Sequence, residues 1–340
     1  MIGEDSQVFI VAELSANHKQ DINIAKETIY AIKESGADAV KLQTYTPDTI
    51  TIKSEKEYFK IKQGTIWDGK YLYQLYQEAY TPWEWHYELK ELAEKLGLIF
   101  FSTPFDKTSV DFLEELNVPA YKIASFEITD IPLIEYVASK GKPVIISTGI
   151  ATLCDIQEAI EACKIKGNEN IILLKCTSSY PAPLEEVNLK TIPNLKETFG
   201  VEVGLSDHTL GIEVPIGAVA LGAKVIEKHF ILSKDIDSPD KEFSLTPEEF
   251  KLMVKAVRNI EKALGKVSYE LSERIKKSRE FARSLFVAKD IKKGEPFTEE
   301  NIKSVRPAYG LPPKYLTQIL GKKARRDVSK GEPLTWDIVE

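Results

Sequence analysis

Two of the four histidines stand at the ends of apolar runs that read as β-strands: His208 closes 201–208 (VEVGLSDH) and His229 closes 224–229 (KVIEKH). Imidazole is the commonest metal-ligating side chain. A residue at the carboxyl end of a parallel barrel strand points into the mouth, where barrel chemistry is done. If both rings face one mouth, they form half of a metal site. With Glu13 expected across that mouth, two nitrogens plus oxygens suit an octahedral Mn²⁺- or Mg²⁺-like ion better than a tetrahedral zinc. The alternative for each ring is a core histidine donating to a backbone carbonyl. Ser206, Asp207 and His208 do not form a hydrolase triad, because neighbouring strand residues point to opposite faces.

Lysines inside strands carry the second signal. Lys41 sits in 39–43 (AVKLQ) and Lys122 in 120–124 (AYKIA). A buried ammonium is costly without an anionic partner. Two of them beside serine and threonine hydroxyls point to a phosphate or carboxylate ligand; the competing explanation is internal pairing with Glu13 or Glu227. Other polar groups expected at strand ends are Asn17 and His18, Gln43, Thr103, Ser125 and Glu127, and the run Thr177 to Tyr180. Cys176 reads as barrel packing rather than a nucleophile, with nothing beside it to lower its pKa.

The elements that position these groups repeat. Over residues 1–264 a short apolar run, a polar cluster and a helix-patterned segment recur eight times. The strand runs are 8–14, 38–43, 98–103, 119–124, 143–148, 171–176, 201–206 and 224–230, with helices expected over 21–35, 84–96, 106–117, 154–166 and 211–222. Eight such units predict an α/β fold of the closed (β/α)8 TIM-barrel type. An open doubly wound sheet is the runner-up, but the first strand ends in ELSANH without the glycine-rich turn that fold usually carries. Residues 47–82 are long for a βα loop and rich in aromatics, including Trp67, Tyr76 and Tyr80. They form a lid over the mouth, an oligomer contact, or a small amphipathic helix (Leu72, Leu75, Tyr76, Ala79) packed on the barrel. Residues 265–282 read as a polar linker. In 283–340, Asp290-Ile-Lys-Lys-Gly-Glu-Pro recurs as Asp327-Val-Ser-Lys-Gly-Glu-Pro. This predicts a compact, pseudo-symmetric, β-rich module, too small for a large core and expected to dock on something.

Composition sets limits. The 340 residues are 43% hydrophobic and 29% charged, with a net charge of −7. That balance disfavours a nucleic-acid role, and local cations must meet any anionic substrate. Three cysteines without C-x-x-C spacing argue for a reducing compartment. No signal peptide and no bilayer-length apolar stretch are visible. The expectation is a cytoplasmic protein with small-molecule substrates, no nucleic acid and no membrane.

The same residues resemble a known family. VAELSANH (11–18), KLQ (41–43), FSTPFD (101–106), KIASFE (122–127), CTSSYP (176–181), GLSDHT (204–209) and EKHF (227–230) look like the sialic acid synthases. The tail, with its repeated KGEP and Val305-Arg306-Pro307, is similar to their C-terminal antifreeze-like (SAF) domain. GTIWDG (64–69), TPWEWH (81–86) and SVRPAYG (304–310) look most like the pseudaminic acid branch. His18-Lys19-Gln20 departs from the His-Asn-Gly usual there, and Ser178 stands where the N-acetylneuraminate branch has Asn.

The resemblance implies a reaction. Phosphoenolpyruvate, an N-acylated amino sugar (for this branch 2,4-diacetamido-2,4,6-trideoxy-altrose) and water give a nonulosonic acid and phosphate. It implies a divalent metal on His208 and His229, Mn²⁺ first, with Mg²⁺ or Co²⁺ as the other candidates. Glu13 would order or deprotonate water. Lys41, Thr103, Lys122, Ser125, Ser178 and Ser206 would bind phosphoenolpyruvate. Gln43, Glu127, Tyr180 and Asp240 would meet the sugar. Arg306 would reach the site of a partner subunit in a domain-swapped homodimer. The alternatives are an N-acetylneuraminate or legionaminate synthase of the same family, and a non-catalytic sugar- or phosphate-binding barrel.

Overall fold

The computed structural model describes residues 2–3, 6–62 and 64–340. Eight strands form a closed parallel barrel in chain order: β1 (Phe9–Glu13), β2 (Ala39–Thr44), β3 (Ile99–Pro104), β4 (Tyr121–Ile123), β5 (Val144–Ser147), β6 (Ile171–Cys176), β7 (Glu202–Asp207) and β8 (Val225–His229). β8 closes on β1, with Glu13 opposite His229. The expected helices are present as Ile22–Glu34, Trp85–Lys95, Lys107–Glu115, Leu153–Ile165 and Glu213–Ala220. Several start on side-chain caps that satisfy the first free N–H groups. Asp21, Asp106 and Thr152 accept from Asn23, Ser109 and Asp155.

Strand alternation sorts the side chains. Ile10, Ala12, Val40, Leu42 and Phe100 face outward into the layer shared with the helices. Val11, Ala39, Phe101, Ile145, Ile172 and Val225 face inward and plug the lower barrel. One pleat repeat further along, the inward positions become Glu13, Lys41, Lys122, Ser147, Ser206 and Glu227, all buried. This change from apolar plug to polar layer places the chemistry at the mouth. Gly204 lies inside β7, where an added Cβ would stand 2.4 Å from the Val225 carbonyl oxygen and 2.7 Å from Leu174. Any larger residue there would push β7 from β8.

The insertion folds as a short helix Pro47–Ile50, a bridge between Lys60 and Tyr71, and a helix Leu72–Ala79. The indole N–H of Trp67 donates to the Pro239 carbonyl over 3.1 Å, tying the insertion to the loop after β8. Leu72, Leu75, Tyr76 and Ala79 line the cavity at the mouth. The expected amphipathic helix therefore also walls the site.

The chain divides after Gly265. The second unit begins at Lys266, and the segment 265–282 holds a helix Glu273–Ser278. Glu280 offers its carbonyl to the N–H of Ala308 over 3.0 Å. Strands β9 (Ser284–Val287) and β10 (Ile302–Val305) pair antiparallel. The repeat is visible as a reciprocal exchange. Lys293 N–H donates to Asp327 Oδ1 (2.9 Å), Lys330 N–H donates to Asp290 Oδ1 (2.8 Å), and Ile291 and Val328 bridge. Gly294 (φ +84°) and Gly331 (φ +90°) supply the matching left-handed turn positions. Leu285, Ile291, Phe297, Ile319, Val328 and Leu334 belong to this unit's own buried core.

Candidate active site

A cavity of about 590 Å³ opens at the carboxyl ends of the strands. That volume is in the range of small-molecule sites. Lys41, Thr103, Lys122, Ser125, Ser178 and Ser206 all line it, as do Gln43, Glu127, Tyr180, Asp240, His208 and His229. Arg306 belongs to the second unit, where it is exposed after β10.

The floor is an ionic cluster. Lys41 Nζ lies 2.5 Å from Glu13 Oε2 and 3.7 Å from Glu227 Oε1, and donates to Thr103 Oγ1 over 3.1 Å. Lys122 Nζ lies 3.7 Å from Glu227 Oε1 and donates to Ser147 Oγ over 2.6 Å. The internal pairing weighed from the sequence is thus realised, with Glu227 shared by both lysines. Burial opposes the charge on Lys41, but Glu13 and Glu227 outweigh it and hold its pKa above the ordinary value. Burial pulls Lys122 below its ordinary value despite Glu227. Burial alone would raise the Glu227 carboxyl, yet Lys122 and Lys41 bring it below.

Glu13 is the close partner of Lys41. It is 1% exposed, with both carboxylate oxygens buried. Burial raises its pKa against the pull of Lys41.

Beside the lysines, two hydroxyls close around Gly149. Gly149 N–H donates to Ser125 Oγ over 3.1 Å. A Cβ at Gly149 would stand 2.1 Å from Ser178 Oγ and 2.7 Å from Ser125 Oγ, so only glycine leaves this pocket open. Ser206 Oγ donates to Glu227 Oε1 over 3.2 Å.

The two imidazoles meet as expected. Their ring centroids are 5.3 Å apart. His229 Nδ1 is buried with no hydrogen-bond partner, 3.6 Å from Asp240 Oδ2. Burial, with the His208 ring beside it, holds its pKa well below the ordinary value, so it is neutral. His208 Nδ1 lies 3.2 Å from the Thr177 carbonyl oxygen, which sets that nitrogen as the donor and leaves Nε2 for another partner. Among the described residues, no third His, Cys, Asp or Glu completes a cage. Two imidazole nitrogens, one of them an orphan, fit a divalent cation that takes its other ligands from water or substrate.

A chain of polar contacts backs these rings. Gln43 Nε2 donates to Ser15 Oγ (2.8 Å), which donates to Asp240 Oδ2 (2.5 Å). Tyr180 packs between Trp67 and His208, at centroid distances of 5.4 and 4.6 Å. Glu127 Oε2 is buried without a partner, and burial lifts its carboxyl to about 7.

Four residues correct or extend what the sequence suggests. Cys176 has a neighbour after all: its Sγ is 3.7 Å from His208 Nδ1. Burial pushes the thiol up, but the His208 ring outweighs it and brings the pKa to about 7. The partner sits on the next strand, invisible to a local reading. His18 is a core residue, Nε2 3.1 Å from Thr81 Oγ1, with burial taking its pKa to about 4. Gln20, in the departing His18-Lys19-Gln20 turn, adopts φ +54°, a conformation that glycine takes at less cost. Asp207 does point away from Ser206 and His208, onto the outer face beside Lys228.

A closed parallel barrel whose mouth pairs lysines with hydroxyls beside two imidazoles defines a class: TIM-barrel proteins with a polar, charged site at the carboxyl ends of the strands. The chain belongs to the NeuB family, whose model matches residues 28–269, and the SAF domain model matches residues 282–340. It is 53% identical to the pseudaminic acid synthase of Campylobacter jejuni subsp. jejuni serotype O:2, over 97% of this chain and 96% of that one. It is 54% identical to the pseudaminic acid synthase of Helicobacter pylori, over 97% of each. The crystal structure of an N-acetylneuraminic acid synthetase from Leptospira borgpetersenii serovar Hardjo-bovis, in complex with citrate, superposes with a TM-score of 0.73 at 34% identity, covering 82% of this chain and 92% of that one.

Proposed function

We propose that the chain is a pseudaminic acid synthase. It condenses phosphoenolpyruvate with 2,4-diacetamido-2,4,6-trideoxy-altrose and water and releases phosphate by C–O cleavage. The observation that carries this reading is the cavity floor, where Lys41 and Lys122 stand among hydroxyls and beside two imidazoles. The full-length likeness to two pseudaminic acid synthases supports the choice of sugar.

Lys41, Lys122, Thr103, Ser125, Ser178 and Ser206 hold the phosphate and carboxylate of phosphoenolpyruvate, with Gly149 leaving room for them. Gln43, Glu127, Tyr180 and Asp240 hold the open-chain sugar with its aldehyde carbon against the methylene of phosphoenolpyruvate. Holding both reactants in contact removes much of the entropic barrier. The methylene attacks the aldehyde carbon, whose oxygen takes up a proton. Water adds to the carbon left electron-deficient, and the C–O bond to phosphate then breaks. His208 and His229 would hold a divalent ion, Mn²⁺ by the character of the donors, and that ion would supply Lewis-acid polarisation of the aldehyde. Glu13 and Glu227 favour the charged form of the lysines before substrate arrives.

We extend the proposal to a homodimer in which Arg306 of one subunit completes the other's sugar site. Exposed apolar residues on successive loops at the mouth end (Phe126, Ile150, Leu184, Leu210) support a covering partner. No helix among the described residues is long and apolar enough to cross a membrane, and the three cysteines are free, which supports a reducing, cytoplasmic setting.

The test is phosphate release from phosphoenolpyruvate with a panel of diacetamido sugars and N-acetylmannosamine. The diacetamido altrose should give the highest kcat/KM. Preference for N-acetylmannosamine or a legionaminate precursor moves the chain to another branch, and release with none overturns the enzyme reading.

A further inference from the structure

The outer face of the barrel wall carries one ion pair where its neighbours are apolar. In β7 and β8 the outward positions before it, Val203, Leu205 and Ile226, are buried hydrophobics of the strand–helix layer. The next outward residues are Asp207 and Lys228, 2% and 0% exposed. They are direct partners in the strand register and form a close ion pair. Lys228 Nζ also donates to the Thr209 carbonyl oxygen over 2.6 Å. Thr209 returns its N–H and its hydroxyl to Asp207 Oδ1, over 3.1 and 2.9 Å.

These contacts bracket one imidazole and adjoin the other. Residues 207 and 209 flank His208, and residue 228 precedes His229. Alternation puts the ion pair behind the wall and both rings in front of it. Stability does not explain such a pair, because apolar residues of similar volume are often as good or better in a buried site. Two imidazoles sharing a cation, however, must hold their nitrogens within a few tenths of an ångström of the required spacing. We infer that Asp207, Lys228 and Thr209 are positioning residues, a clamp behind β7 and β8 that fixes the separation of the His208 and His229 rings for cation binding. The inference rests on the proposed cation site.

The experiment measures Mn²⁺ binding directly, from the electron paramagnetic resonance signal of free Mn²⁺, on folded metal-free full-length protein. The double variant Asp207→Leu/Lys228→Met keeps the space filled and leaves no unpaired charge. Its Mn²⁺ Kd is expected to rise about 10- to 100-fold, with phosphoenolpyruvate binding in the absence of metal unchanged. Thr209→Val, which removes only the hydroxyl arm, is the second variant and should raise Kd several-fold. Unmodified protein that fails to bind Mn²⁺ sinks the cation site itself. Unmodified protein that binds, with an unchanged Kd in folded Asp207→Leu/Lys228→Met, or in Thr209→Val if the double variant does not fold, overturns the clamp.

Discussion

Glu127→Gln should stabilise the protein while impairing it, and the effect should depend on pH. The buried Glu127 carboxyl has an orphan oxygen, and its pKa rises from 4.5 to about 7, chiefly through burial, with Lys122 opposing. In the unfolded chain the proton leaves near the ordinary glutamate value, and in the folded chain it stays until about pH 7. Between those values the folded state binds more protons, so stability falls as pH rises and levels off above pH 7. The 2.5-unit gap, at about 1.4 kcal/mol per unit, amounts to roughly 3 kcal/mol. This is an upper figure, because part of the side chain meets solvent. Glutamine carries no charge to desolvate. Urea unfolding followed by tryptophan fluorescence should therefore find the variant and parent nearly equal at pH 4.5. The variant should gain through pH 6 and lead by up to about 3 kcal/mol at pH 8. Its KM for the sugar should rise while that for phosphoenolpyruvate holds. A stability difference that does not change with pH, or one favouring the parent at pH 8, refutes the desolvation argument.

The other expectations concern the cation and the second unit. Exhaustive chelation should abolish phosphate release and Mn²⁺ should restore it, whereas His229→Ala should stay folded by circular dichroism yet respond to no added metal; full turnover of metal-free enzyme would refute the assignment. Arg306→Ala should raise KM for the sugar at least tenfold and leave that for phosphoenolpyruvate within about twofold, and equal effects on both would remove Arg306 from the sugar site.

Much of the barrel is legible because its signals are local. Eight apolar runs with helix-period segments between them announce the closed sheet, and alternation alone puts Lys41 with Gln43 and separates Asp207 from His208. What stays hidden depends on neighbours far apart in sequence. The thiol of Cys176 is tuned by an imidazole on the adjacent strand. Glu227 appears in the sequence as one possible partner and proves to be shared by both lysines. Gly149, the glycine that opens the hydroxyl pocket, lies in the loop after β5, and no motif marks its closeness to Ser178. Lys228 was within reach: it is a lysine inside a strand, like Lys41 and Lys122, but on the opposite face from the histidine that draws attention.

Internal pairing and anion binding, set against each other when only the residue types are known, are complementary in the folded barrel. Burial works against a lysine's charge, as the downward pull on Lys122 shows, and an uncharged amine has no strong attraction for phosphate. Glu227, 3.7 Å from both ammonium groups, counters that pull. At such a distance, and at the effective dielectric that suits protein sites, each attraction is worth about 4 kcal/mol before desolvation is charged against it. The carboxylates do not fill the site, since both lysines still line the cavity beside the hydroxyls of Thr103, Ser125, Ser178 and Ser206. An incoming dianion or trianion therefore meets lysines fixed in place with carboxylates that support their charge, and much of their desolvation has been met during folding instead of at binding. Two lysines without carboxylates would read as the better anion trap from sequence alone; in a closed barrel they would be the worse one.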